Sequence, residues 1–395
     1  MKNVILLCFC LVFMYAQAED TIFAKDLVRY LGIQNKVSDE DLVTLTQLKS
    51  KAESPKLTVE EKKAAYKELF QTTARMMEST PPPALYDMLV SSAISWTCAG
   101  ESEIAKGTAK PGELGNVIKQ GNGEISLILI PDVGMDGTVF QSFLNRNKEH
   151  FTMYAVTLPG FGGTPKLPDF EKRDYAATRL WKNAESAVIN LIQKENLKAP
   201  IILGHQGGAY LALRIALDHP ESVSGAVVLN GLLYAPMMLS KDPTGKLTPE
   251  LRHQVAKLFM PIELFPRPSR DCFAKYWQSM AGSMSKDQQH NLQLAQIGGN
   301  SDAHLTWDYG AELLTTDLTN EMDQLKIPTL VVSSIPDPKK TSPNSAVDQW
   351  KIVHNPSVKV VTMENVGTFP VDDDPKSFDK MILDFAATKS ETANK

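Results

Sequence analysis

The stretch Pro200-Ile201-Ile202-Leu203-Gly204-His205-Gln206-Gly207-Gly208, running on into Ala209-Tyr210-Leu211-Ala212-Leu213-Arg214-Ile215-Ala216-Leu217, decides the fold. A short apolar run enters a turn rich in glycine, and a helical run leaves it. Glycine is needed where backbones approach closely or φ turns positive. Such a strand, sharp turn and helix can hold one side chain at an exposed apex, with the pattern G-x-S-x-G when that side chain is a nucleophile. Here the apex residue is Gln206. An amide has no ionisable hydroxyl or thiol and cannot be turned into a nucleophile near neutral pH.

Outward from this turn, strand-like and helix-like runs alternate. Met153 to Leu158, Ile201 to Leu203, Ala226 to Asn230, Thr329 to Ser333 and Val358 to Met363 are short and almost wholly apolar. Strands buried on both faces of a parallel sheet have this composition. Asn116 to Gln120 and Glu124 to Ile130, separated by Gly121-Asn122-Gly123, have the pattern of a tight hairpin. A helix is expected near Tyr175 to Glu195. Residues 233–318 break the alternation with helical sequence rich in Met and Phe. An insertion there would stand over the carboxyl ends of the strands, where open α/β sheets bind ligands.

The first hundred residues differ. Ser38 to Leu48 and Thr58 to Glu78 have amphipathic helical patterns, and Thr58-Val59-Glu60-Glu61 is a capping box. Pro81-Pro82-Pro83 ends the second helix, and a third is expected from Ala84 to Trp96. Before them stand Lys2, an uncharged run from Val4 to Tyr15, and Ala16-Gln17-Ala18, the pattern of a cleaved secretory signal. The run is shorter than the ~20 residues a membrane span needs. The expected location is therefore secreted or periplasmic.

The 395 residues are 43% hydrophobic and carry a net charge of −5. No basic stretch points to nucleic acid. Of four cysteines, Cys8 and Cys10 fall in the signal. Cys98 and Cys272 can pair in an oxidising compartment or stay as buried thiols. There is no H-x-x-x-H, C-x-x-C or clustered His and carboxylate, so neither a metal nor another cofactor is expected.

With these runs in place, the chain resembles the α/β-hydrolase family, in the branch that carries a helical cap, from about Asn116 to Phe385. Leu127-Ile128-Leu129-Ile130-Pro131-Asp132-Val133-Gly134 is similar to the strand and loop supplying one oxyanion N–H. Leu158-Pro159-Gly160-Phe161-Gly162-Gly163-Thr164 is similar to the family's L-P-G-x-G-x-S turn. The elbow and its helix end in His219-Pro220, as in the family. Ile327 to Val332, followed by Asp337-Pro338, looks like the strand bearing the catalytic acid.

The resemblance implies an α/β-hydrolase fold with a mostly parallel central sheet, a helical cap insertion and a helical N-terminal extension. The expected segments are a signal at 1–18, the extension at 19–112, the core at 113–232 and 319–390, and the cap at 233–318. It also implies a nucleophile, an acid and a histidine in chain order. Asp337 fills the acid position, Gln206 replaces the nucleophile, and Thr368 stands where the histidine belongs. The oxyanion donors would be the N–H groups of Val133 and Gly207.

Several alternatives stay open at the level of sequence. Asp132 can face inward and oppose an oxyanion, face solvent, or cap the following helix. Gln206 can contact a ligand or plug the site by bonding Asp337 or Thr368. His205 can pack beneath the elbow or act as a displaced base. His304 can reach the pocket from the cap, whereas His354 has a surface setting. Asp337 can be a turn residue before Pro338. Tyr234, Phe259, Met260, Phe265, Phe273, Tyr276 and Trp277 line or fill the cap.

Three functions follow. The first is a non-catalytic hydrolase-fold protein that binds a small apolar ligand or a protein partner. The second is a hydrolase with a rearranged, non-serine mechanism using Asp337. The third is an interaction role carried by the N-terminal extension.

Overall fold

The computed structural model describes residues 33–54, 56–78, 107–168, 175–234, 268–281, 284–339 and 346–393, with Thr248 and a few isolated positions between 24 and 93. The expected signal, most of the third N-terminal helix, and Phe259, Met260 and Phe265 lie outside the described residues. By their internal contacts the residues form two units, 1–101 with 247–269, and 102–246 with 270–395.

In the first unit, α1 (Asp39–Ala52) and α2 (Val59–Met76) are both started by capping boxes. Thr58 Oγ1 accepts the Glu61 N–H, and Glu61 accepts the Thr58 N–H. Ser38 and Asp41 do the same for α1, with an aspartate where the signature calls for Glu or Gln. Leu45, Leu48 and Ala52 of α1, and Ala65, Tyr66, Leu69 and Phe70 of α2, are buried.

The second unit is built on one seven-stranded sheet. Its strands are β1 (Asn116–Gln120), β2 (Ile125–Ile130), β3 (Phe151–Thr157), β4 (Ile201–His205), β5 (Gly225–Leu229), β6 (Thr329–Ile335) and β7 (Val358–Glu364), in the spatial order β1-β3-β2-β4-β5-β6-β7. All neighbours are parallel except β1 and β3. Every residue of β4 and β5 is buried, which accounts for their apolar sequence up to His205 at the end of β4.

The hairpin expected between β1 and β2 does not form. Both edges of β2 are taken, by β3 and β4, and β1 pairs antiparallel with β3 instead. The link at 121–123 crosses the start of β3. A Cβ on Gly121 would lie 2.0 Å from Phe151 O, and one on Gly123 would lie 2.1 Å from His150 O. Asn122 N–H donates to Lys148 O, and Thr152 Oγ1 donates to Gly123 O. The glycines serve a close crossing rather than a hairpin turn.

The helices of this unit are α3 (Gln141–Asn147), α4 (Arg179–Lys194), α5 (Gly207–Asp218), α6 (Arg270–Ala281), α7 (Gln288–Gly299), α8 (Ala303–Leu314), α9 (Ala346–Trp350), α10 (Pro370–Asp373) and α11 (Pro375–Ala393). On one face of the sheet, Ile128, Ile130, Ile202, Val228 and Val331 share a core with Trp181, Ala184 and Val188 of α4 and Leu211 and Ile215 of α5. Burial of this kind is worth ~25 cal/mol per Å² of apolar surface.

Glu312 of α8 ties α4 to the inserted helices. Its carboxylate accepts the N–H groups of Leu180 (3.1 Å) and Trp181 (3.2 Å). Thr178, the residue before α4, has φ 48° and gives no side-chain cap. Glu312 does that work from another helix. Burial pushes its carboxyl up to about 8, against the opposing pull of these N–H donors.

Candidate functional site

Asp132, Gln206, Asp337 and Thr368 follow β2, β4, β6 and β7, on the carboxyl side of the parallel strands. The turn between β4 and α5 sets the frame. Gln206 sits at φ 47°, ψ −106°, a conformation that side chains seldom adopt. A Cβ on Gly204 would lie 2.0 Å from Gly208 O, and one on Gly208 would lie 2.4 Å from Ile130 O. Both glycines are therefore required by close backbone approach. Gln206 N–H donates to Leu229 O at 2.9 Å, which locks the apex to β5.

The Gln206 amide hydrogen-bonds neither Asp337 nor Thr368, nor any other group among the described residues. The side chain is only partly buried. The sealing bonds considered for it are not made.

Asp132 faces inward. Its Oδ1 accepts the N–H of Val133 at 2.7 Å and the N–H of Gly207 at 2.9 Å. These are the two main-chain donors expected at an oxyanion site, and one carboxylate oxygen takes both. Gly207 opens α5, so the carboxylate also lies at a helix N-terminus, where negative charge is favoured. Burial nevertheless raises the Asp132 carboxyl to about 6, with the Gly207 and Val133 N–H groups pulling the other way. A Cβ on Gly207 would lie 2.6 Å from Val133 Cγ2 and 3.1 Å from Asp132 Oδ1. Only glycine lets the two loops meet so closely.

His205 is buried beneath the apex. Its Nε2–H donates to Thr368 O at 2.9 Å, and its ring meets Phe369 edge-on, with centroids 5.0 Å apart. Burial drops its pKa to about 4 despite that hydrogen bond, so the imidazole is neutral at pH 7. It acts as a strut between the elbow and the loop after β7.

Asn230, which the sequence did not single out, is the second strut. Its Nδ2 donates to Thr368 O (2.6 Å) and to Ser334 Oγ (2.9 Å), and its Oδ1 accepts the Ser334 N–H (2.7 Å). It also has φ 51°. An Asn directly after a buried strand, where a left-handed residue is needed, was the available signal.

Thr368 thus has a doubly bonded carbonyl. Its Oγ1 is buried without a partner among the described residues. The flanking residues are pinned by Asp373 Oδ2, which accepts the Gly367 N–H at 2.5 Å, and by Met284 O, which accepts the Phe369 N–H at 2.7 Å. Asp337 follows β6 and its Oδ1 accepts the Lys339 N–H at 3.0 Å, the bond of a turn residue. His304 lies part-buried on α8, and His354 is exposed.

The inserted helices meet this site through α6, α7 and α8. Ser301 Oγ donates to Gly134 O at 2.8 Å and accepts the Gly162 N–H at 3.0 Å. Gly163 N–H donates to Asn300 O, and Asp302 N–H donates to Gly160 O, both at 2.7 Å. Trp277 lies against the Asp132 loop, since a Cβ on Gly134 would be 2.6 Å from its Cζ2. Tyr234, Phe273, Tyr276 and Trp277 are all buried. Cys272 is disulfide-bonded. The pairing considered with Cys98 falls on a residue outside the described ones. No group of three or more His, Cys, Asp or Glu among the described residues could hold a metal ion. No helix among them is long and apolar enough to cross a membrane.

The profile of the Alpha/beta hydrolase family matches residues 127–379, and the chain belongs to that family. It is similar to the pimeloyl-[acyl-carrier protein] methyl ester esterase of Yersinia pseudotuberculosis serotype IB, with 25% identity over 282 residues, covering 67% of this chain and 95% of the relative. The protein of that name from Proteus mirabilis is 33% identical over 109 residues, covering 28% of this chain and 37% of the relative. Among solved structures, an esterase from Exiguobacterium antarcticum superposes with a TM-score of 0.53 at 14% identity, covering 68% of this chain and 94% of that one. A thermophilic esterase from Thermogutta terrifontis gives 0.52 at 15%, covering 69% and 93%. At such identities the structures speak for the fold alone.

Proposed function

We propose that this protein is a non-catalytic member of its family, a small-ligand or partner-binding pseudo-hydrolase. The observation that carries the reading is the pair of hydrogen bonds that the Val133 and Gly207 N–H groups donate to Asp132 Oδ1. An acyl-transfer site needs those donors free for the developing oxyanion. Here a resident carboxylate holds them. Gln206 keeps the strained apex geometry without a group that can attack, and Thr368 offers no imidazole. Loss of the serine or histidine of a serine protease costs about a million-fold and leaves ~10³–10⁴ over water from the oxyanion hole and binding; with those donors also occupied here, ester hydrolysis falls to background.

The relatives named as methyl ester esterases make esters the substrates to try first. Asp337 serves as a turn residue through Lys339, which leaves a rearranged hydrolase centred on it the weaker reading. The leader-like residues 1–18 and the disulfide at Cys272 support export to an oxidising compartment. A fluorophosphonate tests the central reading. Intact-mass spectrometry of the native protein is expected to show no adduct, whereas stoichiometric labelling of the protein contradicts the proposal.

A further inference from the structure

Among the described residues, four seams join the inserted helices to the loops at the carboxyl ends of the strands. After β2, Ser301 Oγ donates to Gly134 O at 2.8 Å, and Trp277 fills the space that a Cβ on Gly134 would need. After β3, Gly163 N–H donates to Asn300 O and Asp302 N–H to Gly160 O, both at 2.7 Å, and Gly162 N–H donates to Ser301 Oγ at 3.0 Å. After β5, Leu318 N–H donates to Leu233 O at 2.8 Å, which ties together the two ends of the inserted sequence. After β7, Phe369 N–H donates to Met284 O at 2.7 Å, and Asp373 Oδ1 accepts from Ser285 Oγ at 2.5 Å and from the Lys286 N–H at 3.1 Å. A Cβ on Gly367 would collide with Met284 O.

The helices are also bolted to α4 and to one another. Tyr309 O accepts the Trp181 Nε1–H at 3.1 Å, beside the Glu312 bonds to the start of α4. A Cβ on Gly298 would lie 2.6 Å from Trp277 Cγ, and one on Gly299 would lie 2.7 Å from Ala274 Cβ. No space therefore separates α6 from α7.

A lid that opens swings about one attached edge and frees the opposite one. Here the seams follow four different strands. Three of them are closed by main-chain donors and acceptors, which no change of side-chain rotamer releases. Leu233, Asp302, Leu318 and Phe369 are buried, so parting them would strip buried N–H groups of their acceptors.

We propose that α6, α7 and α8 form a fixed cover, released only when the sheet unfolds, and that nothing reaches the elbow by a movement of these helices. Whatever the protein recognises then meets a surface that is already set. This goes beyond the reading above, and it stands or falls separately from the chemistry of the elbow.

Hydrogen exchange of the full chain, followed by mass spectrometry of peptides from the seams and from β4 and β5, tests it. The Asp302, Leu318 and Phe369 amides are expected to exchange within about thirtyfold of the β4 and β5 amides. Faster exchange than that at Asp302 and Phe369, with β4 and β5 still protected, marks a lid and overturns the proposal. Ser301→Ala removes one bond from each of two seams. Exchange in that variant should rise by the same factor at Asp302 and in β4, because only global unfolding exposes either. A rise confined to the seams overturns the proposal.

Discussion

The carboxylate of Asp132 accepts the Gly207 N–H at 2.9 Å, so the first residue of α5 is bonded to the loop after β2. This bond joins the loop after β2 to the turn between β4 and α5. With the Val133 N–H on the same oxygen, one carboxylate holds both main-chain donors.

Burial of this carboxylate, against the pull of the Gly207 and Val133 N–H groups, has a signature in stability. Asp132 has its carboxyl raised from 3.8 to about 6 in the folded state. The folded chain therefore holds a proton that the unfolded chain has released between these values. Its contribution to stability is fully present below about 3.8 and is lost as pH rises through about 6. The displacement corresponds to ~3 kcal/mol at most. Asp132→Asn should remove that pH dependence and raise the unfolding free energy from urea titration at pH 8 by ~1–3 kcal/mol. A lower unfolding free energy at pH 8 would show that the charged form is the stabilising one.

Glu312 follows the same sign over a higher window, from 4.5 to about 8. Its stabilising contribution declines as pH rises through about 8. Glu312→Gln should flatten the stability profile between about pH 4.5 and 8. Glu312→Ala should cost ~2–3 kcal/mol, because the Leu180 and Trp181 N–H groups lose their acceptor. Equal stability of the Ala and Gln variants would mean that α4 does not depend on this cap.

His205 runs the other way. Its pKa is lowered to about 4, so its contribution is present above the unfolded value of ~6.5 and is lost as pH falls through about 4. Its imidazole NMR signals should stay those of a neutral ring from pH 7.5 down to 5. Titration near 6.5 would contradict the burial that lowers it.

Gln206 stores strain. At φ 47°, ψ −106° a side chain costs ~1–3 kcal/mol, which glycine relieves. Gln206→Gly should raise stability by ~1 kcal/mol in denaturant unfolding. Destabilisation would point to a packing role for the amide instead.

Much of this fold was legible in sequence, because parallel strands buried on both faces leave continuous apolar runs and elbow glycines leave a fixed spacing. Thr58 and Glu61 announced their helix start in full. The β1–β2 hairpin misled, because local turn chemistry at 121–123 says nothing about the competing parallel partners of β2. At the site, Gln206 and Thr368 were readable as unusual residues at fixed positions. The direction of the Asp132 side chain was not, since a carboxylate after Pro131 has three outlets and only tertiary packing selects one. Asn230 was missed because its work is done through Thr368, far away in sequence. Glu312 was hidden for the same reason: a helix cap supplied from another helix has no local pattern.

The central claim is that the elbow performs no acyl chemistry. Steady-state hydrolysis of p-nitrophenyl acetate and butyrate by the purified native protein, measured beside Gln206→Ala, tests it most directly. Rates at the uncatalysed background for both proteins are the predicted result. Turnover by the native protein that disappears in Gln206→Ala would contradict it.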